Sequence, residues 1–240
     1  MLQRIAEDIW SQETDLKIAP GARMPCRATI MRLSDGGLVV CSPLAIDDAT
    51  AKELDALGDV RFLVAPSLQH WMFLKAAKER YPNARVFGPP GLEQKVGDLA
   101  FERLPERGRI DGMRDEIRIE RIEGAPALQE HVLLHERSCS LVVADLMFNI
   151  QRCDSFLMRL ALRCMGVWKK TAQSRAWRFL VKDRAAAAHS ANSVLSMDFE
   201  RIVVAHGDVI DCDPYERSRR ALAWMTSVAP PLLGTGSAVA

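Results

Sequence analysis

The sequence predicts a mixed α/β fold, and three observations carry that expectation. Short apolar runs of strand length recur along the chain, helical stretches lie between most of them, and Gly, Pro and Asp-Gly punctuation separates the two kinds. The elements can be taken in order. CRATIMRL (26–33) and LVVC (38–41) flank Ser34-Asp35-Gly36-Gly37, a hairpin signal because Asp-Gly accepts the positive φ that a tight turn needs. Asp48–Leu57 fits a helix, with Leu54 and Leu57 apolar and Gly58 as its stop. RFLVA (61–65) is a strand, WMFLKAAKERY (71–81) a helix that must end at Pro82, and ARVFG (84–88) another strand. Gly88-Pro89-Pro90-Gly91 breaks the chain before GLEQKVGDLA. EIRIERI (116–122), HVLLH (131–135) and CSLVVAD (139–145) form a strand-rich middle, followed by two helical stretches and the strand RIVVAH (201–206). The last helix is expected to open on Asp213 as cap, with Pro214 at its first position and Glu216 three residues after the cap, and to close at Pro230-Pro231. No repeat or long linker divides this pattern. The expectation is one domain over 1–228 and a flexible tail over 229–240.

Composition narrows the class. The 240 residues are 48% apolar and carry 32 Lys+Arg against 31 Asp+Glu, a net charge of +1. A chain of this size buries roughly 70–75% of its unfolded surface and needs no staple to stay folded. Near-neutral charge argues against a nucleic-acid binder, which would be basic over a whole domain. No apolar run approaches the ~20 residues of a membrane span. The start, MLQRIAEDIW, lacks the apolar core of a secretory signal, so the expected location is cytoplasmic. Six cysteines (Cys26, Cys41, Cys139, Cys153, Cys164, Cys212) form no CxxC pair, which excludes a zinc ribbon and reads as buried or inert thiols.

Residues 151–190 stand apart. Nine basic residues against two acidic ones give this stretch +7, so the rest of the chain carries −6. SFLMRLALRCMGVW within it is apolar nearly all round and suits a core-covering helix with solvated arginines. A lid or a homodimer contact is the alternative, and a membrane-surface helix a further one.

Three short apolar strands end in residues able to do chemistry. RFLVA runs into Pro66-Ser67-Leu68-Gln69-His70, CSLVVA into Asp145, and RIVVA into His206-Gly207-Asp208. Strand ends gather along one edge of a sheet, where ligands bind in layered α/β proteins. Two imidazoles and one carboxylate meeting there would form a set able to hold a divalent ion with positions left open. Asp208 either caps its own loop or orients His206 from outside that set. Elsewhere, Glu130 and His189 read as surface residues, with reach to the site edge as the alternative for Glu130, and His131 and His135 share one face of a strand about 13 Å apart. No GxSxG, Walker or GxGxxG motif is present.

With RATIMRLSDGGLVVCSP, LVAPSLQHWMFLKAAKERYPNARVFGPPG, LVVADLMFN and VVAHGD in place, the layout over roughly residues 20–225 resembles the metallo-β-lactamase superfamily, more closely one of its branches carrying a domain of unknown function. The resemblance implies a four-layer αββα sandwich with two mixed sheets and metal at one edge. The family's HxHxDH segment falls on Ala65 to His70, where only His70 keeps its histidine; Ala65 and Ser67 replace the leading two and Gln69 replaces the Asp. The family's middle His falls on Ala125 in Glu123-Gly124-Ala125-Pro126, its bridging Asp on Asp145 and its final His on His206. The resemblance thus implies that the first metal site is erased, while His70, Asp145 and His206 of the second survive beside a weak amide oxygen from Gln69.

Two readings follow. In one, a single zinc or iron ion on those three residues activates water against a small ester, thioester or lactone. In the other, no metal binds, Ser67 caps a helix starting at Leu68, His70 and His206 hydrogen-bond Asp145, and the scaffold is a non-catalytic module for a ligand or protein.

Overall fold

The computed structural model describes residues 1–113 and 115–227; the expected tail and the closure at Pro230-Pro231 lie outside the described residues. One sheet contains β1 (Gln3–Ala6), β2 (Ile9–Ala19), β3 (Ala22–Arg32), β4 (Gly37–Cys41), β5 (Asp59–Val64), β6 (Arg85–Gly88) and β7 (Glu102–Arg103), in that spatial order. Its first four strands pair antiparallel and its last four parallel. The other sheet has the order β12-β11-β10-β9-β8, from β8 (Arg107–Gly108), β9 (Ile117–Arg121), β10 (His131–His135), β11 (Ser140–Val143) and β12 (Arg201–Val204). Only its β11–β12 pair is parallel.

The helices are α1 (Asp48–Leu57), α2 (Leu74–Arg80), α3 (Glu93–Val96), α4 (Phe156–Met165), α5 (Arg175–Leu180), α6 (Arg184–Leu195) and α7 (Pro214–Thr226). Strand alternation builds the layers. In β4, Val39 and Cys41 face the second sheet, while Leu38 and Val40 face outward onto Leu54 of α1 and Leu74 of α2. In β11, Val142 faces the first sheet, while Leu141 and Val143 meet Ala191 and Val194 of α6 and Leu222 of α7. Strands covered on both faces read as unbroken apolar runs, which is why the short runs stood out in the sequence. The result is helices, sheet, sheet, helices: the αββα sandwich with two mixed sheets.

Several expectations need correction. The chain opens with an antiparallel pair, β1 and β2, that the sequence pattern did not yield, because the outer half of β2 is exposed and polar. Three helices, not two, lie between β11 and β12. The second helix starts only at Leu74, with turns before it; Ser67 does not cap it, and its Oγ instead accepts the N–H of Gln69 at 3.2 Å. Asp213 precedes Pro214 as expected but sits at φ 49° with no capping bond, and Glu216 pairs with Arg219 and Arg220 of its own helix. Of the thiols read as buried or inert, Cys41 and Cys153 are buried, while Cys164 and Cys212 are exposed. The helix SFLMRLALRCM does not cover the core as a whole: α4 buries only Met158 and Leu162.

Candidate metal centre

The site lies where the C-terminal ends of β4, β5, β11 and β12 converge. Asp145 follows β11 by two residues and His206 follows β12 by two, and these parallel neighbours put both side chains at one edge. His70 comes from the loop after β5. Three bonds tie the sheets together here: the His131 N–H donates to the Pro66 carbonyl at 2.7 Å, the Arg27 N–H to the Ala205 carbonyl at 2.8 Å, and the Arg27 guanidinium to the Val204 carbonyl at 2.7 Å. The loop at His206 is held by Asn149, whose N–H donates to the His206 carbonyl at 3.0 Å. Gly207 must be glycine: its φ is 103°, and a Cβ there would lie 2.2 Å from the Asn149 carbonyl oxygen.

The structure thus brings the three expected residues together. His70 Nε2 and His206 Nε2 each lie 3.4 Å from an oxygen of Asp145, on opposite carboxylate oxygens. One ligand atom from each of the three falls within 4.8 Å of the others. Each ring has its second nitrogen engaged. His206 Nδ1 donates to the Pro25 carbonyl at 2.8 Å, with the Cys26 sulfur 3.8 Å away, and the ring stacks on Phe148. His70 Nδ1 lies 2.6 Å from Ser42 Oγ, and Ser42 sits at the end of β4 with φ 56°. A carbonyl can only accept, so the Nδ1 proton of His206 is fixed, and Nε2 is the nitrogen that faces the carboxylate. Burial alone would push the Asp145 carboxyl up, but the charges and N–H groups of His70 and His206 hold it well below the usual carboxylate range. Burial likewise opposes a charged His206, yet the hydrogen bond and charge of Asp145 lift its imidazole to about 10.

Other expected residues behave differently. Gln69 lies on the cavity wall with its side chain exposed, and Ser67 is fully buried. Asp208 does not orient His206: it is exposed and meets Asn149 through its backbone, while the Pro25 carbonyl holds the ring. Ala65 is buried against the outer helices, and Ala125 packs in an apolar cluster with Leu128 and Trp177. No donor atom therefore stands at either alanine.

Glu130 is the largest correction. It is not a surface residue but fully buried, accepting the N–H groups of Ala144 (3.0 Å) and Leu146 (2.8 Å) on either side of Asp145, and that of the Trp177 indole at 3.3 Å. Burial pushes its carboxyl up to about 8, and the Asp145 charge acts in the same direction. His131 and His135 are buried with their Nε2 atoms unpartnered, and His189 is exposed on α6 as expected. The sequence offered no signal for Ser42 or Cys26 beyond their closeness to strand ends.

A cavity of about 420 Å³ opens over the three residues. Its walls are apolar and aromatic, including Leu16, Ile18, Met24, Leu44, Met72, Phe73, Met165, Trp177 and Leu180. Among the described residues, no Lys, Arg or Glu lines it.

The sequence profile of a family described as "Domain of unknown function (DUF4336)" matches residues 6–176. The chain belongs to the DUF4336 family. No curated protein matches it. Among solved structures, the metallo-β-lactamase TMB-1 superposes with a TM-score of 0.64 at 9% identity, covering 93% of this chain and 97% of that one. A metallo-β-lactamase from Erythrobacter litoralis gives 0.63 at 14%, covering 93% and 96%. FIM-1 from Pseudomonas aeruginosa, in its mono-zinc form, gives 0.60 at 10%, covering 95% and 96%. At such identities the likeness shows the fold. This DUF4336 chain has the metallo-β-lactamase fold.

Proposed function

We propose that this DUF4336 protein is a hydrolase that works with one divalent metal ion, zinc or iron, held by His70, Asp145 and His206. The observation that carries the reading is the hydrogen-bonding of His206. Its Nδ1–H is committed to the Pro25 carbonyl, so Nε2 is the nitrogen directed at Asp145, and the His70 Nε2 approaches the same carboxylate from the other side. Two imidazoles and a carboxylate so arranged call for a cation between them, and a ring whose far nitrogen is anchored by a backbone oxygen is the usual state of a metal-bound histidine. A bound divalent ion would supply Lewis acidity and activate water at neutral pH. The protein's own residues do the rest. Ser42 and Pro25 fix the two ring planes, Glu130 pins the backbone on both sides of Asp145, and the apolar cavity receives the acyl portion of an uncharged ester, thioester or lactone while excluding bulk water. FIM-1 was solved with one zinc, which supports a single-metal reading of this fold.

The test is elemental analysis of protein purified without chelator and reloaded with zinc or iron. About one ion per chain in the wild type, lost in His206→Ala, is the expected result; identical trace content in both would overturn it. Hydrolysis across an ester, thioester and lactone panel, restored by metal after chelation, tests the activity. A second reading, a non-catalytic ligand-binding module, is favoured by one observation: Ala65 and Ala125 are built into apolar packing. A melting temperature indifferent to metal and chelator would select that reading.

A further inference from the structure

The +7 segment has a structural peculiarity that the metal centre does not use. None of its nine basic side chains forms an ion pair among the described residues, and all but the half-buried Arg159 are exposed. Elsewhere, arginines such as Arg32, Arg85, Arg107 and Arg137 are paired with carboxylates. Arg159 and Arg163 lie on α4, and Arg175 donates to the Cys164 carbonyl at 3.2 Å at its C-terminal end, beside an exposed apolar face of the same helix. On α4, Phe156, Leu157, Leu160, Ala161 and Cys164 all point outward, at the spacing of one helix face, while Met158 and Leu162 pack inward. Phe156 is 65% exposed and Leu160 50%.

This face adjoins the cavity mouth. Ser155, the cap of α4, donates to the Gly21 carbonyl at 2.6 Å, so the helix is tied to the β2–β3 turn, and Met165 at its far end lines the cavity. Ile18 and Met72, on the cavity wall, are 55% and 59% exposed. Six of the eight large apolar side chains that the described residues leave exposed belong to α4, to α5 or to the cavity rim. Exposed apolar patches of this kind, rimmed by charge, mark interaction surfaces.

We infer that this face docks on an anionic lipid bilayer, with the outer side chains of α4 entering the interface and the unpaired cations meeting the headgroups. Charge chooses this occupant over the alternatives. A second copy using the same face would set Arg159, Arg163 and Arg175 against their own copies, and a nucleic acid would satisfy the cations but leave the protruding Phe156, Leu157 and Leu160 in water. Docking in this orientation turns the cavity mouth, through Ile18 and Met72, toward the bilayer, so that an amphiphile could enter without crossing bulk water.

The test uses the whole chain and vesicles, and its readout is independent of any metal. Co-sedimentation is measured with phosphatidylcholine vesicles, alone and mixed with phosphatidylglycerol. The expected result is partition onto the mixed vesicles at least ~10-fold stronger than onto the neutral ones, weakening as salt rises. Phe156→Ser with Leu160→Ser, both exposed and so compatible with folding, should weaken partition about 10-fold. Arg163→Gln with Lys170→Gln should weaken it on mixed vesicles only. Equal or absent partition onto the two kinds of vesicle would overturn the inference. So would partition that the Phe156 and Leu160 changes leave intact, or a dimer in solution that those changes dissolve.

Discussion

The two ends of the sheet sandwich each hold a buried polar cluster, and they differ in charge balance. At the end away from the cavity, Asp8 meets Arg32 at 2.7 Å and Arg137 at 3.1 Å, and Glu116 accepts from Ser34 and lies 3.4 Å from the same Arg137. Two carboxylates face two guanidiniums, and the group is closed. At the cavity end, the Asp145 carboxylate faces two imidazoles, with no guanidinium paired to it among the described residues, and the group opens onto a cavity of about 420 Å³. Buried polarity by itself therefore does not mark a working site. What marks one is donor capacity left over and directed into a space a ligand can enter.

The sharpest way to break this contrast is Asp145→Asn. Removing the charge strands whichever cation the imidazoles share, so metal affinity should fall by about 1,000-fold, roughly 4 kcal/mol, with hydrolysis lost alongside; titration calorimetry would read it. Unchanged affinity would place the metal elsewhere.

A third buried imidazole gives the next effect. Burial pushes His131 down to about 4, and its Nδ1–H donates to the Gln129 carbonyl. The folded state thus refuses a proton that the unfolded chain takes near pH 6.5. Stability from this residue is complete above about pH 6.5 and declines as pH falls toward 4, by about 3 kcal/mol in all. Chemical denaturation from pH 7 to 4 should show the slope, and His131→Leu should flatten it.

Asp8→Asn probes the closed cluster. Asp8 sits at φ 58°, which Asn tolerates, so the change removes charge and little else. Because Arg32 and Arg137 are partly exposed, the loss should be about 2 kcal/mol in stability with no change in metal content. Metal loss in this variant would erase the distinction between the two ends. Ser42→Ala should have the smallest effect, about a 10-fold loss of metal affinity with the fold intact, because it frees the far nitrogen of His70 rather than removing a ligand.

Much of the fold was legible because it is encoded locally. The Asp35-Gly36 turn, the Gly58 stop of α1 and the apolar runs of β5, β11 and β12 each announce themselves within a few residues. The site was legible in part for the same reason: His70, Asp145 and His206 follow strands that end at one edge. Glu130 was misread because a lone acidic residue before a strand is usually solvated, and only the fold shows the loop at Asp145 closing over it. The helix at 156–165 was misread because apolar content says how much surface can be buried, not whether a neighbour is there to bury it.

By itself, the sequence determined the alternation of strands and helices, the residue types that close each element and the charge imbalance of 151–190. The tertiary structure alone decided which strand ends adjoin, and so which imidazoles share a carboxylate. It also decided that Pro25 fixes the proton on His206, and that the apolar face of α4 looks outward beside the cavity. The physical reason is range. Propensity and periodicity act over a few residues, whereas a shared carboxylate or an uncovered face depends on segments more than a hundred residues apart, such as Pro25 and His206, being brought into contact.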